Sequence, residues 1–222
     1  MVGPHDVHGV LARHVLVDGF DLVLDPLASH GSWLVDARDG DEFLDLFSFF
    51  ASNALGMNHP ALAEDPQFRA TLTEVATNKP SNSDVTTVHL ARFVTTLERV
   101  LGDPLLPHYF FIEGGGPAVE NALKVAFDWK SRANQAAGLD PRLGARVLHL
   151  RQAFHGRTGY TLSLTNTDPV KTARFPTFDW PRIDVPAVRF PLEAHLDEVA
   201  AAEQRALQQA HAAFDAHPHD IA

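Results

Sequence analysis

The stretch FIEGGGPAVENALKVAFDWK, residues 111–130, places three consecutive glycines between an apolar run and a long helical pattern. Just before the glycines, HYFFI (108–112) has the composition of a strand that is covered on both faces. The apolar spacing after the glycines predicts a helix of about twenty residues. Pro117 suits the first helical position, where an N–H has no intrahelical partner. Glycines at a strand-to-helix junction indicate that something approaches the backbone closely there.

A second buried strand is predicted after this helix, at RVLHL (146–150). Strand, helix and strand in that order form a βαβ unit, which predicts an α/β fold with a parallel sheet. The last two residues, Ile221 and Ala222, resemble the start of a further strand, so we expect the chain to be the front part of a longer protein.

The turn signal Asp39-Gly40 predicts a β-hairpin between SWLVDA (32–37) and EFLDLFSFF (42–50). A short helix over 8–14 and a loose strand over 16–25 are predicted before this hairpin. Three further helices are predicted: over 65–78, from Ser83 or Asp84 to about Leu101, and over 192–217. Between the last two helices, residues 151–166 are predicted to be a polar loop and residues 178–191 an irregular proline-rich stretch.

Composition excludes several classes of function. The 222 residues contain no cysteine, which rules out disulfides, thiolate metal sites and a cysteine nucleophile within this chain. The net charge is −10 without a basic stripe, so we expect no nucleic-acid partner. No apolar run approaches the roughly 20 residues that span a bilayer, and no signal peptide is visible, so a cytoplasmic location without a membrane partner is the default. No metal site is predicted, and His217 and His219 are expected to be solvated.

The glycine loop has the sequence form of an anion site. Glycines at 114–116 let backbone N–H groups approach a phosphate, and the helix N-terminus adds roughly half a positive charge. A tight turn without a ligand is the alternative explanation. Neither G-x-G-x-x-G nor GK[ST] is present, and no acidic residue ends the next strand to hold a ribose. A cofactor with a single phosphate therefore fits better than a nucleotide.

The loop AFHGRT (153–158) follows the second predicted strand, and ligands of open α/β sheets collect at the carboxyl ends of strands. Phe154 offers a flat apolar face for a planar ring, His155 can donate or accept a hydrogen bond, and Arg157 is a rigid fork for a carboxylate. Each also has an ordinary explanation: a core ring, a hydrogen-bonded loop histidine and a surface charge. Their position at the same sheet edge as the glycine loop favours a site.

The sequence resembles class III pyridoxal-phosphate-dependent aminotransferases, and within that family the L-lysine 6-aminotransferases. The resemblance is carried by LFSFFASNALGMNHPAL, NKPSNSD, FFIEGGGPAVENALKVAFDWK and LRQAFHGRTGYTLSLTNTDPVKTARFPTFDWPRID, and it runs over almost the whole chain from about Val7. It implies fold type I, the aspartate aminotransferase-like α/β fold. Residues 1–60 would be an N-terminal segment with a β-hairpin, part of the small domain, and residues 61–222 the first, incomplete part of the large domain that binds pyridoxal 5′-phosphate.

The resemblance also implies a cofactor site. The backbone of Gly115 and Gly116 would bind the phosphate of pyridoxal 5′-phosphate, Phe154 would stack on its pyridine ring, and His155 would belong to the cofactor-binding loop. The family usually has an alanine where Gly116 stands and a bulky apolar residue where Pro117 stands. A proline at 117 removes one backbone donor, but the two glycine amides remain.

For the substrates, the resemblance implies that Arg157 holds the carboxylate of L-lysine or 2-oxoglutarate and that Phe50 lies in a wall of the pocket. A complete protein would transfer the ε-amino group of L-lysine to 2-oxoglutarate as a homodimer, in lysine catabolism. The family's Schiff-base lysine comes after the part matched by residue 222, so no catalytic residue is assigned and this chain alone is expected to be inactive. Another class III ω-aminotransferase, acting on ornithine or 4-aminobutyrate, and a truncated non-catalytic polypeptide stay open as alternatives.

Overall fold

The computed structural model describes residues 1–78 and 84–222, which form two compact units, residues 1–103 and 104–222. The first unit contains an antiparallel sheet and the second a parallel strand pair, each with its own helices. The sequence-based boundary after residue 60 stays a prediction, because it refers to the domain organisation of the family.

A three-stranded antiparallel sheet organises the first unit. Its strands, in spatial order, are β1 (Leu24–His30), β2 (Trp33–Asp36) and β3 (Glu42–Leu44). The predicted hairpin is confirmed as the β2–β3 pair, whereas the predicted strand over 16–25 is wrong except for its last two residues. The Ser29 hydroxyl donates to Asp25 O at 2.6 Å and accepts from Val35 N at 2.9 Å, which fixes the irregular part of β1. Ser29 and Val35 are both buried, so these hydrogen bonds supply the partners that the buried hydroxyl needs.

The second hairpin strand is shorter than predicted. It ends at Leu44 because the Asp45 carboxylate accepts hydrogen bonds from the amides two and three positions later, at 2.9 and 2.7 Å, and turns the chain. A single turn, α2 (Ser48–Ala51), follows, and all four of its residues have positive φ. This left-handed conformation costs non-glycine residues about 1–2 kcal/mol each. The backbone around Phe50 is therefore a strained turn rather than a strand.

The described part of the first unit also contains right-handed helices: α1 (Val7–Leu11), α3 (Pro60–Ala63), α4 (Pro66–Asn78) and α5 (Val88–Leu101). The helix predicted over 65–78 is confirmed. The next helix begins later than predicted, because Thr87 rather than Asp84 caps it by accepting a hydrogen bond from Leu90 N at 3.1 Å. Ser83, the other predicted cap, lies outside the described residues.

The second unit contains, in chain order, α6 (Gly115–Ala136), β4 (His149–Leu150), α7 (Gly159–Leu164), β5 (Arg182–Ile183) and α8 (Leu196–Ala216). The strands β4 and β5 pair in parallel, as predicted for the sheet of this unit, but the strand predicted over 146–150 is reduced to its last two residues and its partner is β5 rather than 108–112. Ile221 forms a parallel bridge with Arg146, as expected for the beginning of a strand.

Three predictions for this unit need correction. Residues 108–112 form no strand among the described residues, since they pair with neither β4 nor β5, and Phe110 is 71% exposed. The loop predicted over 151–166 contains α7, which begins where the Thr158 and Thr161 side chains cap each other's backbone N–H. The stretch predicted to be irregular over 178–191 contains β5.

An aromatic cluster packs α6 against the segments that follow β4. Phe178 and Trp180 stack with 5.0 Å between ring centroids and 11° between planes. Phe127 of α6 lies 5.6 Å from Tyr160 of α7 and 5.9 Å from Trp180. Trp180 is buried, and its indole N–H donates to Ala145 O at 2.9 Å. The helix after the glycine loop and the helix after the second loop are therefore neighbours.

The buried carboxylate of Asp36 leads to a pH-dependent prediction. It accepts a hydrogen bond from the Arg38 guanidinium at 2.6 Å, and the side-chain hydrogen bonds from Arg38 lower the pKa of Asp36 from 3.8 to about 2. Because the folded-state pKa lies below the unfolded one, the pair stabilises the fold above about pH 4, and this contribution is lost as the pH falls towards about 2. We expect Asp36→Asn to lower the unfolding temperature at neutral pH, and this difference to shrink over that acidic range, measured by circular dichroism.

The matched control is Asp18→Asn, which changes an exposed carboxylate and should leave the unfolding temperature unchanged. An effect of Asp36→Asn that is as large at about pH 2 as at neutral pH would contradict a role for the ionised pair.

Candidate active site

The glycine loop lies at the N-terminus of the 22-residue helix α6. Gly114 is the N-cap, with a φ of 96° that glycine adopts readily, and Ala118 N makes the first helical hydrogen bond, to Gly114 O at 3.1 Å. Among the described residues, no acceptor receives the N–H of Gly115 or Gly116. A side chain at 115 would begin in open space. Two unpaired amides at the start of a long helix have the chemistry of an anion site.

Pro117 occupies the third helical position rather than the first, because α6 already begins at Gly115. The correction changes little, since the N–H that proline lacks would have no intrahelical partner at either position. The amides of Gly115 and Gly116 therefore remain as donors at the helix N-terminus.

The loop after β4 is closed at its base by residues that follow α7. Ala153 N donates to the Asn166 side chain at 3.0 Å, and Asn166 N donates to Ala153 O at 2.9 Å. His155 N donates to Thr165 Oγ1 at 3.1 Å, and the Thr165 hydroxyl donates to Gly156 O at 2.6 Å. Because Thr165 is fully buried, this hydroxyl fixes the backbone of the loop to the interior of the unit.

The two loops meet through their backbones. A Cβ built on Gly156, whose φ is 108°, would lie 2.9 Å from Gly116 Cα and 3.1 Å from Thr161 Oγ1. A Cβ on Gly116 would meet Thr158 Oγ1 at an ordinary contact distance of 3.6 Å. Glycine is therefore required at 156, where it lets the second loop close on the first.

The side chains predicted to bind a ligand from the second loop are presented to solvent. Phe154 is 58% exposed, which rules out the core alternative for this ring in the described structure, and His155 and Arg157 are exposed as well. The structure thus brings Gly115, Gly116 and these three residues onto two adjoining loops of one unit. Their individual contacts with a ligand stay predictions.

Phe50 lies in the first unit, within the left-handed turn α2. Its ring is 89% exposed and meets the ring of Phe47 edge-on at 4.8 Å between centroids. Strained non-glycine backbone of this kind concentrates at functional sites. The assignment of Phe50 to a substrate pocket stays a prediction.

Glu120 of α6, which no sequence signal indicated, ties α6 to the beginning of α7. Its Oε1 accepts a hydrogen bond from Tyr160 N at 2.8 Å, in the first turn of α7. A hydrogen bond from the Thr158 side chain is the main cause that lowers the pKa of Glu120, and the backbone N–H groups of Tyr160 and Thr161 add to it. A lone glutamate on a helix carries no signal in the sequence, and Thr158-x-x-Thr161 lacks the Glu or Gln that marks a capping box.

The described residues also bear on metal and membrane binding. Within them, no group of three or more His, Cys, Asp or Glu side chains is arranged to hold a metal ion. None of the helices that the structure describes combines the length and the apolar character needed to cross a bilayer.

Comparison with known proteins agrees with this architecture. The sequence profile of the family "Aminotransferase class-III" matches residues 19–222. The L-lysine-epsilon aminotransferase of Mycobacterium tuberculosis is 65% identical over 221 residues, which cover 99% of this chain and 48% of that protein. The enzyme of the same name from Amycolatopsis lactamdurans is 61% identical over 213 residues, covering 95% and 47%. The solved structure of a lysine aminotransferase from M. tuberculosis matches with a TM-score of 0.95 at 64% identity, over 99% of this chain and 50% of that one.

The structural neighbours are pyridoxal-phosphate-dependent aminotransferases of fold type I, which confirms the predicted fold class. The chain belongs to the class III aminotransferase family, whose members depend on pyridoxal 5′-phosphate. It spans about half the length of the curated relatives it matches.

The contact between the loops predicts that Gly156→Ala is strongly destabilising. The added methyl group would meet the backbone of Gly116, which cannot move aside as a flexible side chain could. We expect a loss of about 1–3 kcal/mol in the free energy of unfolding beyond the cost of positive φ, measured by urea denaturation. Gly138→Ala is the matched control, because Gly138 also has a positive φ, 73°, but has open space around its Cα. Equal losses for the two substitutions would contradict the close approach of the loops.

Proposed function

We propose that the whole protein that carries this chain is an L-lysine 6-transaminase. It moves the ε-amino group of L-lysine to 2-oxoglutarate and gives 2-aminoadipate 6-semialdehyde and glutamate. The observation that carries the proposal is the Gly116–Gly156 contact, which puts a helix N-terminus with two unpaired amides beside a loop with an exposed ring and an exposed arginine. Similarity to relatives named L-lysine-epsilon aminotransferase supports lysine as the amine donor.

The residues of the two loops fit pyridoxal 5′-phosphate. Gly115 and Gly116 would donate their amides to the phosphate, which the N-terminus of α6 also attracts. The exposed ring of Phe154 would cover the pyridine ring, and His155 would be a polar neighbour of the same ligand. When bound, this cofactor supplies an electron sink for the carbon that carries the amino group.

Arg157 would orient the substrates. An exposed guanidinium can hold a carboxylate through two parallel hydrogen bonds, and L-lysine and 2-oxoglutarate both offer that group. Such a contact contributes position rather than chemistry. The family resemblance also supports Phe50, whose ring is exposed, as a substrate-binding residue.

The family resemblance further supports a homodimer that acts in the cytoplasm, in lysine catabolism. A chain without cysteine is compatible with that reducing compartment. No nucleic-acid or membrane partner forms part of the proposal.

Amine-donor specificity tests the proposed activity. Protein expressed from the complete reading frame should form glutamate from L-lysine with a kcat/KM at least about tenfold above that for L-ornithine, because one missing methylene changes this ratio by about 10- to 200-fold. The chain of residues 1–222 assayed alone should show no turnover, since the resemblance assigns it no Schiff-base lysine. Turnover of ornithine or 4-aminobutyrate with none of L-lysine would reject lysine as the substrate.

The phosphate contact predicts different cofactor affinities for two substitutions at position 116. Gly116→Pro removes the amide N–H, whereas Gly116→Ala keeps it and adds a methyl group at an ordinary distance from Thr158. We expect Gly116→Pro to weaken the binding of pyridoxal 5′-phosphate about tenfold, the effect of losing one hydrogen bond to a charged group. Gly116→Ala should bind as the unchanged protein does. Titration by cofactor absorbance measures both, and circular dichroism verifies that the helices persist. Equal affinities for the two variants would rule out a phosphate contact through this amide.

A further inference from the structure

The two-loop site requires a fixed separation between its parts. A phosphate at the start of α6 and a ring covered by Phe154 belong to one rigid ligand, so the loop over 153–158 cannot shift without losing one of these contacts. The Gly116–Gly156 contact limits how closely the loops approach. A van der Waals contact does not, however, stop the second loop from moving away. A directional interaction between α6 and that loop is needed as well.

Glu120 provides this interaction. It lies on α6, about one turn after the glycine loop, and its Oε1 accepts a hydrogen bond from Tyr160 N at 2.8 Å. The same oxygen lies at an ordinary contact distance, 3.5 Å, from the place where a side chain at 159 would begin, so Glu120 also packs beside Gly159. The nearby Thr158 side chain and the amide of Tyr160 both lower the pKa of the carboxylate. Glu120 thus contacts the residues that directly follow Arg157.

The chemistry of both partners strengthens the hydrogen bond between Tyr160 N and the Glu120 carboxylate. The amides in the first turn of a helix have no partner within the helix, and an ionised carboxylate is the acceptor that binds them best. Glu120 is half-buried, which limits competition from water. The ring of Tyr160 also packs on Phe127 of α6, so that carboxylate and ring hold α7 to the same helix.

We infer that Glu120 is a positioning residue, which holds the loop over 153–158 against the glycine loop at the separation that pyridoxal 5′-phosphate requires. It acts through its hydrogen bond with Tyr160 N. The inference rests on the proposed function, because it concerns the same cofactor site.

Binding of pyridoxal 5′-phosphate to the apo protein expressed from the complete reading frame tests the inference. Absorbance gives the affinity, and the circular dichroism induced in the cofactor band reports how firmly the ring is held. Glu120→Ala should weaken binding about tenfold and reduce the induced signal, because a hydrogen bond to a charged group is lost. Glu120→Gln keeps an acceptor oxygen for Tyr160 N but loses the charge, so both quantities should fall between those of Glu120→Ala and the unchanged protein.

The matched control is Glu203→Ala, which removes an exposed carboxylate from α8 and should leave the affinity and the induced signal unchanged. Thermal unfolding of each apo variant separates positioning from general stability, since affinities are compared at a temperature where all the variants are folded. Should Glu120→Ala fail to fold, the isosteric Glu120→Gln variant decides by the same two readouts.

Unchanged affinity and induced signal in the folded Glu120 variants would overturn the inference, whatever their unfolding temperatures, and would leave the proposed function standing. Failure of the unchanged protein to bind pyridoxal 5′-phosphate would overturn the proposed function and the inference with it. The two failures are therefore distinguishable.

Discussion

The backbone contact between Gly116 and Gly156 is the constraint on which the arrangement of the second unit depends. Any side chain at 156 would collide with the main chain of the glycine loop. The absence of one there lets a loop that follows a strand close on a loop that begins a helix. The result is a surface with backbone donors on one side and an exposed ring and guanidinium on the other. A small ligand with a phosphate and a planar ring matches this combination.

Hydrogen-bonded side chains hold that surface in place. Thr165 fixes the second loop to the interior, the Thr158 and Thr161 side chains cap α7, and Glu120 ties α7 to α6. The two fully buried members, Thr161 and Thr165, have hydrogen-bond partners within the unit, as buried polar groups require. The exposed residues Phe154 and Arg157 are then free to meet a ligand while their backbone stays fixed. Rigid backbone beneath exposed functional side chains is the arrangement that binding sites need.

Patterns that act over short distances along the chain could be predicted from the sequence. Apolar periodicity indicated α4 and α6, Asp39-Gly40 indicated the hairpin, and the glycine run indicated the donors at 115 and 116. The candidate residues of the second loop were found because an aromatic ring and an arginine follow a strand. These signals are local, and each depends on a handful of neighbouring residues.

Features that depend on distant partners, or that lack the usual local residues, could not be predicted. Whether 108–112 is a strand depends on its neighbours in a sheet, and the sequence does not state them. The left-handed turn α2 is built from Ser-Phe-Phe-Ala, which contains none of the glycines that signal positive φ. Glu120 was missed because its partner Tyr160 lies 40 positions away. Within the glycine-rich stretch after β4, the short helix α7 was hidden because helix-favouring residues are few there.

A crystal structure of the protein expressed from the complete reading frame, with pyridoxal 5′-phosphate bound, would show whether the two loops hold the cofactor. We expect phosphate oxygens within about 2.7–3.2 Å of the amide nitrogens of Gly115 and Gly116, with the ring of Phe154 against the pyridine. A phosphate bound elsewhere, with those amides covered by other protein atoms, would contradict it.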